Sequence, residues 1–150
     1  MQRHAPPDYD CPFCAFVRGE ERPPWNLLDD VVWRDDGTTA WMNPRWWGRN
    51  PGNVIVVPNT HVESLFELDG RQAAAVHETT RRIALAMTST YPCEGVTTRQ
   101  NNGPGADQDI WHYHLHVFPR HRDDGFYGSE ARMTQPEERR PSAELLRGAL

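Results

Sequence analysis

The chain contains no lysine; all sixteen of its basic residues are arginine. That absence excludes a Schiff-base lysine and the lysine of a phosphate-binding P-loop. No apolar run approaches the roughly 20 residues that a membrane span needs. The opening MQRHAPPDYD is polar and proline-bearing, unlike a signal or transit peptide, so a cytoplasmic protein with no membrane partner is expected. Positive charge is also in deficit, with 16 basic against 21 acidic residues and a formal net charge of -5. This argues against a broad basic groove for nucleic acid, while a small phosphate pocket needs only local donors. Cysteine is scarce: three residues, two of them at CxxC spacing, suit metal or redox chemistry in a reducing compartment rather than a disulfide framework.

What is present reads as one domain of 150 residues, with a core over about 11–126 and a charged, turn-rich tail over about 127–150. VVWRDDGTTAWM predicts a hairpin turning at Asp36-Gly37. VIVVP predicts a buried strand closed by Pro58. From Asp69 to Tyr91, Ala73, Val76, Ile83, Ala84 and Met87 form one stripe of an amphipathic helix. GVTTRQ and DIWHYHLHVF predict strands on either side of the loop NNGPGADQ, and one short helix is expected at about 141–148. Strands, one long helix, then more strands indicate an α+β fold with an antiparallel sheet.

Two clusters carry the chemistry. In WHYHLHVFPR, His112, His114 and His116 alternate, so an extended chain would set their rings on one face about 6.7 Å apart, opposite Trp111, Tyr113, Leu115 and Val117. One metal ion is poorly served by three ligands so spaced on one strand. Cys11-Pro12-Phe13-Cys14 lacks the preceding buried strand of a thioredoxin-like redox motif. It supplies half a tetrahedral zinc site, with His61 and one member of the triplet as candidates for the rest. His4, His77 and His121 have no patterned context and are expected at the surface.

Together, the CxxC, VIVVPNTHVESL, the long helix and NGPGADQDIWHYHLHVFPR resemble the histidine triad (HIT) family, in particular its zinc-containing CxxC-type bacterial members. The resemblance implies a HIT-like fold, a homodimer, and a nucleotide-binding hydrolase that cleaves a nucleoside phosphoramidate or dinucleoside polyphosphate at the α-phosphorus. His114 would be the nucleophile, forming a nucleotidyl-histidine, and His116 would orient the phosphate. Asn43 would contact ribose, while Asn101, Gln108 and the loop at Gly103 and Gly105 would bind phosphate. Cys11, Cys14, His61 and His112 would hold a structural zinc. A nucleotidyltransferase or phosphorylase using the same intermediate, and a zinc-stabilised nucleotide-binding module without turnover, are the alternative readings. The chain departs from the family pattern at Asn43, Asn53, Asp107 and Asp109. The last two would bring carboxylates near an anionic ligand, so they are expected to point into solvent, to pair with an arginine such as Arg99 or Arg120, or to bind Mg or Mn carried in with the substrate. Trp46 and Trp47 are expected at a core edge or subunit contact, with base stacking by the pair as the alternative.

Overall fold

The structure, a computed structural model, describes residues 3–150. Helix α1 (Pro12–Val17) precedes strands β1 (Val31–Arg34), β2 (Thr38–Met42), β3 (Arg45–Trp47) and β4 (Val54–Pro58). Helix α2 (Gly70–Thr90), strands β5 (Gly95–Arg99), β6 (Leu115–Arg120) and β7 (Ala131–Met133), and helix α3 (Pro136–Ala149) follow. The main sheet runs β1-β2-β4-β6-β5, with every neighbouring pair antiparallel, and β3 pairs with β7 in a small second sheet. The expected α+β class and antiparallel sheet are what the fold shows.

The main sheet is covered on both faces, which explains why β4 is an unbroken apolar run rather than an alternating one. Val54 and Val56 join the core under α2 and α3, together with Ala40, Met42, Leu115 and Val117. Ile55 and Val57 turn the other way and pack with Trp41, Phe13 and Phe16 beneath α1. Edge-on contacts of Phe13 and Phe16 with Trp41, each at 5.0 Å between centroids, seat α1 on the sheet. Helix α2 is capped at its start by a reciprocal Asp69–Gln72 box and buries Val76, Ile83, Ala86 and Met87. Ala86 takes the fully buried place expected of Ala84, which is half-buried.

Two elements differ from the sequence-based expectation. The histidine strand starts at Leu115 rather than near Asp109, because its partner β4 runs out at Pro58, a residue with no N–H to extend the ladder. Upstream, the chain is held by single bonds instead: Tyr113 N–H donates to the Val62 carbonyl at 2.7 Å. Trp111 consequently leaves the apolar face and stacks obliquely on His4 at 5.7 Å. The second difference lies in the tail. Residues after 127 supply β7 and a 14-residue helix that buries Ala143 and Leu146, and the fully buried Arg139 pairs with Asp30.

Candidate active site and metal centre

Four side chains from three separate parts of the chain converge where α1 meets the run before β6. His112 is fully buried, and its Nε2–H donates to the Pro58 carbonyl at 3.0 Å. The proton is thereby fixed on Nε2, and Nδ1 is left as a bare acceptor. Nδ1 lies 3.4 Å from Cys11 Sγ and 3.5 Å from Cys14 Sγ, and His61 Nδ1 lies 3.3 Å from Cys14 Sγ. All four donor atoms fall within 4.8 Å of one another, the one such group among the described residues. A zinc tetrahedron with Zn–S of about 2.3 Å and Zn–N of about 2.0–2.1 Å has S···N edges of about 3.6 Å, so the donors fit that ion. Burial holds His112 down at about 4, neutral and able to ligate at pH 7. Burial and the adjacent Cys11 push the Cys14 thiol up to about 12, so it keeps its proton until a cation displaces it.

His114 is oriented by the same run. Its Nδ1–H donates to the His112 carbonyl at 2.7 Å, which turns the Nε2 lone pair toward a cavity of about 760 Å³. Burial lowers its pKa, with the carbonyl bond opposing in part, so the ring is neutral near pH 7. His116, on β6, sits 5.1 Å from His114 between ring centroids and stacks on Phe118. Asn43 Nδ2 donates to His116 Nδ1 at 3.3 Å, which places the His116 proton on Nε2. Burial, then His114, Arg99 and Arg45, hold His116 well below its ordinary pKa.

The cavity also takes in Arg99, expected from the sequence only as a partner for the loop aspartates, and Arg45, which is not singled out there. Arg99 is the register partner of His116 across β5–β6, and its guanidinium lies over Trp47 at 4.8 Å and Phe118 at 5.2 Å. Its buried Nε has no partner. Arg45 joins it at the wall, and Phe13, Ile55 and Trp25 supply apolar surface. Arginines lining a cavity can take an anion without any basic surface, although Arg45 already pairs with Asp109. Only the β5–β6 register, which composition does not reveal, sets Arg99 beside His116.

Of the expected substrate-binding residues, Asn43 (ribose) and Asn101 (phosphate) line the cavity, whereas Gly103, Gly105 and Gln108 do not. Gln108 is buried and spent on the loop itself: Oε1 accepts from Gly103 N–H, and Nε2 donates to the carbonyls of Glu63 and Ile110. The glycine loop is thus braced internally and against the Glu63 carbonyl rather than opened as a cradle. Asp107 and Asp109 both face the cavity instead of solvent alone. Asp109 pairs with Arg45 at 3.5 Å, not with Arg99 or Arg120, and Arg120 is engaged by Asp124. Trp46 is a core residue and Trp47 a cavity residue, so the two do not act as a pair. Asn53 is fully buried with both side-chain polar atoms unpartnered, a feature with no physical account in its surroundings.

A family model described as the HIT domain matches residues 27–123. The chain is 29% identical to "Protein hit" of Bacillus subtilis over 78% of its length and 76% of that protein's. It is 32% identical to an uncharacterized HIT-like protein of Borreliella burgdorferi, over 79% of this chain and 81% of the other. It is 30% identical to the adenylylsulfatase HINT3 of Arabidopsis thaliana, over 81% of this chain and 58% of that one. Among solved structures, a Hit-like protein from Bartonella henselae superposes with a TM-score of 0.79 at 25% identity, covering 99% of this chain and 100% of that one. A zinc-bound histidine triad family protein from Mycobacterium smegmatis superposes with a TM-score of 0.75 at 27% identity, covering 93% and 92%.

Proposed function

The chain belongs to the HIT domain family, and we propose that it is a nucleotide hydrolase acting at the α-phosphorus through His114. One observation carries the reading: the 2.7 Å bond from His114 Nδ1–H to the His112 carbonyl leaves Nε2 unprotonated beside two cavity arginines. A neutral imidazole so held attacks phosphorus without prior deprotonation. The Nε2–P bond forms, the bond from phosphorus to the leaving group breaks, and that group departs with the electron pair, an amine taking up a solvent proton that the hydrolytic water later returns. Water then attacks the nucleotidyl-histidine, returning His114 and releasing a nucleoside monophosphate. His116 Nε2–H and the guanidinium of Arg99 bear the charge on the phosphoryl oxygens in this reading. Asn43 and Asn101 contribute to nucleoside and phosphate contact, and the wall of Phe13, Ile55 and Trp25 suits a planar base.

Cys11, Cys14, His61 and His112 would hold zinc, which as a closed four-ligand site supplies structural cross-linking rather than chemistry. His112 links the two centres, because the carbonyl that orients His114 is its own. A homodimer in the cytoplasm completes the reading, and sedimentation tests the dimer. The test of function is incubation with adenine and guanine phosphoramidates and dinucleoside polyphosphates, followed by mass measurement of products and protein. A mass increase of one nucleotidyl group that vanishes in His114→Ala, with zinc retained, supports the reading. An adduct that persists in that variant refutes it.

A further inference from the structure

Among the described residues, Asp109 is the one carboxylate that reaches both the nucleophile and a cavity cation. Its Oδ2 lies 3.5 Å from Arg45 Nη1 and its Oδ1 lies 3.9 Å from His114 Nε2. An attacked phosphorus must stand about 3–3.5 Å from that same nitrogen. The phosphoryl oxygens therefore come within contact range of the Asp109 carboxylate. The other charged residues lining the cavity are Arg22, paired outward with Asp10, together with Arg99 and Asp107.

We propose that Asp109 is a resident anion of the phosphoryl site and a specificity-determining residue, which discriminates by charge against the doubly charged monophosphate product. The proposal rests on the nucleotide reading above. With Arg45 paired to Asp109 and Arg22 to Asp10, Arg99 is, among the described residues, the one cavity arginine left without a carboxylate partner. One arginine matches a phosphoryl group that is substituted on both sides and carries one negative charge. A released nucleoside monophosphate carries nearly two, since the second phosphate pKa is about 6. It meets greater repulsion from Asp109 and must also win Arg45 from it. Hydrolysis itself thus adds the charge that loosens the product. The side chain is 63% exposed, so it can swing aside for substrate and return afterwards.

Calorimetric titration with AMP and GMP, and with adenosine and guanosine, tests this on the zinc-loaded protein, on Asp109→Asn and on Asp107→Asn. Asp109→Asn should tighten monophosphate binding about tenfold, the scale for a solvent-screened like charge at this range, and leave the uncharged nucleosides unchanged. Asp107→Asn, which changes the same formal charge without a contact to Arg45 or His114, should give much less. Unchanged or weaker monophosphate binding in Asp109→Asn, an equal gain from Asp107→Asn, or an equal gain for the nucleosides overturns the resident anion while leaving a nucleotide site standing. Failure of all three proteins to bind either monophosphate overturns the nucleotide reading and the inference together.

Discussion

Arg139→Ala should be among the most damaging single changes outside the site. The guanidinium is fully buried; it donates from Nε to Asp30 Oδ1 at 3.0 Å and from Nη2 to Oδ2 at 2.8 Å. It also donates to the carbonyls of Thr134 and Pro24, each at 2.9 Å. Removing it strands a buried carboxylate and two carbonyls, and a broken buried pair costs about 3–5 kcal/mol. For a chain of this size that corresponds to about 6–20 °C in Tm. Calorimetric melting of the variant measures it. A loss below about 1 kcal/mol would refute the argument, because so small a cost requires water or another donor to reach Asp30. The pH dependence supplies an independent check. Burial already pushes the Asp30 carboxyl up while Arg139 pulls it back, so without Arg139 it rises further above its unfolded value. A raised folded pKa gives stability that is present at low pH and lost as pH rises through that pKa. The variant's deficit should therefore be smaller near pH 4–5 than at pH 7. Pro24 and Thr134 adjoin Trp25 and Met133, which line the cavity, so the variant should also raise KM more than it lowers kcat.

How far the sequence reveals this arrangement depends on whether a feature is local. The β4 run and the α2 stripe are legible because a sheet covered on both faces and a helix covered on one leave different periodicities. The opening of α3 is misread by five residues. Pro141 looks like a first-turn proline, but Pro136 holds that place, behind a Gln135–Glu138 box. The three-residue β7 has no periodic signature at all, since its register comes from β3, more than eighty residues upstream. At the site, the four convergent sulfur and nitrogen donors fall on positions that spacing and resemblance had named. The arginines are only partly legible: Arg99 is expected as a partner for the loop aspartates, yet Asp109 pairs with Arg45. Arg45 and Arg99 sit on separate strands, and only chain packing joins them in one cavity with His114.

If the four-donor site holds zinc, the purified protein should carry about one ion per chain. His112→Ala should then lose metal and Tm together while His114→Ala loses neither, as elemental analysis and melting would record. With Asp109 paired to Arg45, phosphoramidate cleavage should proceed equally with and without added Mg²⁺ or Mn²⁺. A strict requirement for either ion would instead make the cavity carboxylates metal ligands. The pH profile of adduct formation tests the state of the nucleophile. Burial holds His114 below the ordinary imidazole value, with the His112 carbonyl and Asp109 opposing it in part. Only the neutral ring attacks, so single-turnover adduct formation should be level above about pH 6.5 and fall at acid pH through a pKa below that value. Asp109→Asn removes a charge that favours the protonated ring, so it should move this limb to lower pH. A limb above pH 6.5, or one that moves upward in the variant, would mean that the imidazolium is stabilised rather than suppressed. Nε2 would then hold its proton over more of the range near neutrality, and in that fraction could attack only after a separate base removed it.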